Sequence, residues 1–154
     1  MKRRRGFVQL AILHLLQEQS MHGYQIMKAL EERSDGLYNA SAGTVYPALQ
    51  ELLENEMIVL QDEKSDKKVY SISKIGENHL KTFVEKEEGD FWGEWKERQV
   101  WQNSKESAQL KEAMNQWDVE LRKTIKVLRK DPTSSVKLVQ FIEETTERLK
   151  REFK

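Results

Sequence analysis

Residues 7–18 constrain this chain more than any other stretch. Written as a helix, "FVQLAILHLLQE" puts Phe7, Val8, Leu10, Ala11, Ile12, Leu13, Leu15 and Leu16 on most sides of the cylinder. A helix with one apolar stripe can lie on a surface, whereas one that is apolar nearly all round must be wrapped by neighbours. The run falls short of the roughly 18 apolar residues a membrane span needs. Its basic start, "MKRRRG", superficially resembles a secretory leader, but Gln9 and His14 interrupt the apolar run and "QEQSMHGY" offers no small-residue cleavage site. We therefore expect a buried central helix in a cytoplasmic protein without a membrane span. The chain has 154 residues, enough for one or two small domains, and no cysteine. It can bury a core without disulfides or metals. Disulfide scaffolds, Cys-zinc sites and thiol nucleophiles are excluded together.

Two more helices follow. Ser20 is positioned to cap a second one, reaching about Arg33 with Ile26, Met27 and Leu30 inward. Gly36 is its natural left-handed stop. The third is "SAGTVYPALQELLENEMI", residues 41–58. Val45, Ala48, Leu49, Leu52 and Leu53 fall on one face at helical spacing. Thr44, Tyr46 or Pro47, Gln50, Glu51 and Glu54 occupy the other face. The period then changes. "MIVLQ" (57–61) and "VYSIS" (69–73) are short and β-branched, and they flank the polar "DEKSDKK", the pattern of a β-hairpin with a long tip. Three helices followed by a charged hairpin is the order of a winged helix-turn-helix.

Ser73 caps a fourth helix over about 75–88, with Ile75, Leu80, Phe83 and Val84 as its apolar positions. Gly89-Asp90 then marks a boundary between a first domain, 1–88, and a second, 89–154. An aromatic block, "DFWGEWKERQVW", comes next, and Asn103 with Glu106 has the spacing of a capping box. Beyond it Leu110, Met114, Trp117, Leu121, Ile125 and Leu128 recur at heptad spacing. Such a seam cannot bury itself, so a partner helix from a second subunit is expected. Asp131-Pro132 opens the last helix, with Val136, Val139, Ile142, Leu149 and Phe153 as its stripe. The fold class is thus mainly α: a winged helix-turn-helix followed by a helical, coiled-coil-like dimerisation region.

The chemistry an enzyme needs is missing. His14, His22 and His79 lie on three different predicted helices, and no HExxH spacing or glycine-rich phosphate loop occurs. The neighbouring carboxylates Glu31-Glu32 and Glu87-Glu88 point about 100° apart on a helix and do not converge. No catalytic residue, metal site or cofactor is expected. Bulk charge favours no partner either. Residues 1–82 hold 11 basic and 11 acidic side chains, and 83–154 hold 15 of each, so any nucleic-acid contact must come from local placement.

The strings "HGYQIMKAL" (22–30), "SAGTVYPALQELLENEMI" (41–58), "KKVYSIS" (67–73) and "KIGENHL" (74–80) resemble the PadR family of bacterial transcriptional regulators. Gly43-Thr44-Val45-Tyr46-Pro47 is the most specific part, and Ser73-Lys74-Ile75-Gly76 stands where the family has T-x-x-G. The region behind resembles the helical dimerisation part of longer members, on weaker, mostly helical pattern. The resemblance implies a homodimeric repressor that binds double-stranded DNA.

The residues can be read for that task. A recognition helix meets DNA with its N-terminal end, which should be small and polar. Ser41, Gly43 and Thr44 meet this, and free amides there can hold phosphate. Tyr46 can give its hydroxyl to phosphate and its ring edge to a thymine methyl, and Gln50 can read adenine. The alternative for Tyr46 is a ring packed on the second helix or the wing with its hydroxyl at the surface. Pro47 costs little only if the helix begins near Gly43. Arg3, Arg4 and Arg5 can act as a basic arm or as a solvated tail. Lys67 and Lys68 are the wing candidates, although Asp62, Glu63 and Asp66 offset the wing lysines. His22 and Tyr24 open the second helix and either touch phosphate or, for Tyr24, pack under the third. Trp92, Trp95, Trp101 and Trp117 make either a dimer core or a pocket for a small aromatic effector. The alternative function is a winged-helix protein–protein module without DNA binding.

Overall fold

The computed structural model describes residues 2–61, 68–84 and 90–153, with side chains for 6–61, 68–82 and 90–153. Helix α1 is Lys2–Glu18, and it is followed by strand β1 (Met21–His22) and helices α2 (Gly23–Glu32) and α3 (Ala42–Glu54). The wing strands are β2 (Ile58–Leu60) and β3 (Val69–Ile72), with α4 at Lys74–Val84. Then come α5 (Phe91–Asn103), α6 (Lys105–Leu128), a short 3-10 turn (Pro132–Ser134) and α7 (Ser135–Glu152).

The apolar stretch of α1, from Phe7 to Leu16, is the axis of the first unit. Leu10, Ala11, Ile12, Leu13, Leu15 and Leu16 are all buried, and α2, α3, α4 and β3 pack around them. Each of these leucine and isoleucine side chains contributes roughly 1.5–3 kcal/mol when withdrawn from water. From α3, Val45, Ala48, Leu49 and Leu52 face this core. The wing is an antiparallel sheet of order β1-β3-β2. Met21 pairs with Tyr70 and His22 with Val69, while Ile58, Val59 and Leu60 pair with Ile72, Ser71 and Tyr70. The third strand was not foreseen, because two residues carry no period.

Several local expectations change. Ser20 does not cap α2. His22 does: its Nδ1 accepts from the Gln25 amide at 3.3 Å, and the Gln25 side chain accepts from the His22 amide at 3.0 Å. Gly36 is left-handed as expected, at φ 79°. Residues 2–5 form the first turn of α1 rather than an arm in front of it. Asn103 does not cap α6. It is the last residue of α5, and its side-chain amide donates to the carbonyls of Leu37 and Gln99. Ser73 does cap α4, accepting from the Gly76 amide at 3.1 Å.

Helix α5 packs with the winged-helix core, so the boundary lies beyond it and not at the Gly89-Asp90 expected from sequence. The chain divides into compact units Met1–Ser104 and Lys105–Lys154. Asp90 caps α5 through the amides of Trp92 and Gly93. Trp95 is 1% exposed, with Phe7 stacked at 5.4 Å and Tyr38 edge-on at 4.9 Å. Trp92 is half-buried, with the Arg33 guanidinium 4.6 Å from its ring. Lys96 pairs with Asp35. These contacts strap α5 across the α2–α3 connection.

His14 lies beneath the strap, its ring stacked 4.1 Å from Phe91 and its Nε2 buried without a partner. Burial lowers its pKa below the usual histidine value, and Glu18 opposes this in part. A depressed pKa means the unfolded chain binds the proton more readily, so stability rises with pH across this titration. Between about pH 6.5 and 5.5, the urea midpoint of the native protein should therefore fall more steeply than that of His14→Phe. Parallel midpoints would mean that His14 takes up its proton without disturbing the α1–α5 contact.

The second unit has no core of its own. All buried apolar side chains among the described residues lie between Val8 and Trp95. On α6, Leu110, Met114, Trp117 and Ile125 are exposed, Met114 by 62%, while Leu121 and Leu128 are half-buried. On α7, Val136, Val139, Phe141, Ile142 and Leu149 are exposed, as is Phe153 just beyond its end. Asp131 anchors the turn between them, accepting from the Thr133 and Ser134 hydroxyls, which hold its carboxyl below the usual range.

Candidate nucleic-acid interface

The start of α3 is open. Ser41 precedes it in extended conformation and makes no side-chain cap to the backbone; its hydroxyl pairs instead with that of Thr44 at 3.1 Å. The amides of Ala42 and Gly43 thus lack the capping side chain that usually satisfies a helix start. A Cβ placed on Gly43 would meet nothing within 4 Å. Pro47 lies inside the helix rather than in its first turn. Having no N–H, it leaves the Gly43 carbonyl without its helical donor.

Tyr46 leans back from α3 onto the start of α2. A Cβ on Gly23 would come within 2.8 Å of the Tyr46 ring and of its hydroxyl oxygen. The phenol end of the ring therefore lies against Gly23, and a side chain there would require Tyr46 to shift. Tyr46 still keeps 46% of its surface exposed. The nearby Tyr70 phenol is pushed up by burial and, secondarily, by Tyr46. This is the packed arrangement on the second helix, with part of the side chain at the surface. The glycine of "HGY" and the tyrosine of "TVYP" are two halves of one contact, which neither string reveals by itself.

At the start of α2, the His22 Nδ1 accepts a hydrogen bond, so the neutral ring carries its proton on Nε2. Tyr24 is 67% exposed, stands beside the His22 ring and does not pack under α3. Further along α3, Glu51 turns toward α1 and accepts from the Gln9 side chain at 2.6 Å. Gln50 and Glu54 remain exposed and bonded to each other at 2.9 Å. Lys68 is exposed next to β3. Lys67 lies outside the described residues, as do the side chains of Arg3, Arg4 and Arg5.

The tryptophans do not form one group. Trp95 belongs to the first unit's core, Trp92 is half-buried beside His14 and Arg33, and Trp101 and Trp117 are each 51% exposed. Only Trp95 of the four lines a cavity of about 340 Å³, walled also by Phe7, Tyr38, Thr44, Arg98 and Gln99. The Arg98 guanidinium sits 4.0 Å from the Phe7 ring and pairs with Glu94. No cluster of His, Cys, Asp or Glu suited to a metal occurs among the described residues. None of the described helices is long and apolar enough to cross a membrane.

Residues 12–82 match the family model described as "Transcriptional regulator PadR-like family", and a transcriptional regulator from Clostridium thermocellum is 31% identical, with 84% of its chain covered. The chain belongs to this PadR-like family. The Clostridium structure covers 56% of this chain at a TM-score of 0.50. "Transcriptional regulator YqjI" of Escherichia coli K12 is 35% identical over 75 residues, 49% of this chain. The chain covers only 36% of that relative's length. A Bacillus subtilis PadR, solved in complex with operator DNA, is 26% identical, with 53% of this chain and 48% of that one covered at a TM-score of 0.45. The family match takes in α2, α3, the described wing strands and nearly all of α4.

Proposed function

We propose that this PadR-like protein is a dimeric, sequence-specific DNA-binding repressor of the cytoplasm. The observation that carries the reading is the open start of α3, where the Ala42 and Gly43 amides, Thr44 and the unobstructed face of Gly43 stand together. Helix N-terminal amides are oriented donors for phosphate. Helix α3 enters the major groove, with His22 and Tyr24 on the flanking phosphates. Arg3, Arg4, Arg5, Lys67 and Lys68 supply positive charge to the backbone or minor groove. The first domain binds DNA and the second dimerises. The exposed stripes of α6 and α7 support dimerisation, since a helix pair without a buried core gains stability from a partner. Two copies then present their α3 helices about 34 Å apart, suited to a palindromic site one turn in period.

A mobility-shift titration of the full-length protein, on duplex DNA from upstream of its own gene, tests the reading. Saturable retardation resistant to unrelated competitor DNA is expected. Absence of any shift would favour the protein–protein module. Tyr46→Phe should keep the packed ring but weaken operator binding by about 1 kcal/mol, the worth of one hydrogen bond. Fluorescence anisotropy on labelled operator reads that loss, and native affinity would remove the hydroxyl from the contact set.

The cavity supports a second layer, regulation by a small aromatic effector. Its wall includes both Trp95 and Thr44, so an occupant touches α3 directly. Quenching of tryptophan emission by flat aromatic compounds, with parallel loss of operator binding, is the expected sign. Quenching without loss of binding would separate the cavity from regulation.

A further inference from the structure

We infer that Gln50 and Glu54 act as one reader of an exocyclic amino group in the major groove, excluding guanine and thymine at the base facing the middle of α3. The inference rests on the DNA-binding reading above. At about 100° per residue, Gly43, Pro47, Gln50 and Glu54 fall within roughly 60° of one another on α3. They lie opposite the buried Val45, Ala48, Leu49 and Leu52. Helical side chains lean toward the N-terminus, so the Glu54 carboxylate lies over the turn of Gln50 rather than at the helix end. The contact is seen directly: Gln50 Nε2 donates to Glu54 Oε1 at 2.9 Å, and both residues are exposed.

That bond removes an ambiguity. A glutamine amide can present either end to a base, but a carboxylate only accepts, so the Gln50 NH2 must be the end held by Glu54. The Gln50 carbonyl oxygen is then directed away from it. The groove meets that carbonyl and the remaining lone pairs of the carboxylate, a surface rich in acceptors. Adenine N6 and cytosine N4 offer donors to such a surface. Guanine presents N7 and O6 and thymine O4, all acceptors. Two acceptors brought together without a proton leave both desolvated and unpaired. Glu51 takes no part, being turned to Gln9 on α1. A lone glutamine favours adenine; with Glu54 beside it, the rule becomes an amino-bearing base.

Selection of duplexes from a random library by the full-length protein, followed by single-base titrations on the selected site, tests this. The expected result is one position per half-site that requires adenine or cytosine on a given strand. Guanine or thymine there should weaken binding roughly tenfold. Glu54→Gln should shrink that discrimination at the same position only, and Gln50→Arg should move the preference to guanine. Both residues are on the surface, so unchanged helicity and thermal midpoint verify folding. Replacing a selected adenine by 7-deazaadenine tells the sources apart. No change shows N6 read alone, as expected; weakening would place a Gln50 N–H on N7 and overturn the acceptor surface; a selected cytosine shows N4. A preference for guanine or thymine, or a motif that neither substitution alters, overturns the inference while leaving DNA binding intact. Failure of the native protein to enrich any sequence overturns both.

Discussion

Gly76→Ala is expected to destabilise the first unit by about 2–3 kcal/mol, a cost typical of forcing an atom into filled space. A Cβ at this position would run into the Met57 carbonyl, and it would stand 2.8 Å from Ile72 Cγ1. The carbonyl cannot swing away, because it accepts the Ser73 amide at 3.0 Å, one turn before Gly76. The helix start itself is held by the Ser73 hydroxyl, which donates to the Glu56 carbonyl at 2.6 Å. Relief must therefore move α4, whose Leu80 is in the core. Urea unfolding should give a lower midpoint at unchanged slope. Stability within about 0.5 kcal/mol of native, the range of an ordinary surface change, would mean that α4 does not approach Met57 so closely. Gly23→Ala is the informative contrast. There the obstacle is the far end of the Tyr46 side chain, which can rotate. The fold should lose less, and operator binding should suffer more.

If α6 dimerises the protein as proposed, Met114→Glu combined with Trp117→Glu is expected to leave a monomer at micromolar concentration. These residues are 62% and 51% exposed in the single chain, in the middle of a six-residue apolar seam. Burying one large apolar side chain at an interface is worth roughly 1.5–3 kcal/mol, and two facing carboxylates add repulsion. Losing two anchors from each subunit should weaken association by several orders of magnitude. Sedimentation analysis measures the mass, and circular dichroism measures any accompanying loss of helix, since a helix without its partner is only marginally stable. A double variant that still sediments as a dimer would exclude the α6 seam as the interface.

Much of the first unit was legible because its signals are local. Apolar positions on all sides of α1 announce a helix wrapped by neighbours, and it is wrapped. The change to short β-branched runs announces the wing, and β2 and β3 form it. Errors arose where a contact spans distant residues. Asn103 has capping-box spacing, yet its amide is used on Leu37, 66 positions away. Ser20 looked like the cap of α2, but pairing of Met21 and His22 with β3 moves the helix start and gives the cap to His22. The α5 tryptophans show spacing but not destination. Phe7, Tyr38 and Phe91 had to converge before Trp95 could be buried.

By itself the sequence determined the helices and the two longer wing strands, the buried faces of α1, α2 and α3 and the family strings, because period and turn chemistry are properties of neighbours along the chain. Tertiary structure alone decided what those faces meet. It set Tyr46 across Gly23, closed Gly76 against Met57, turned Glu51 to Gln9 and left Glu54 with Gln50. The physical reason is that a helical period assigns a side chain to a face. Its partner is whichever distant segment packing delivers there, and at close approach one methyl group decides whether that segment fits.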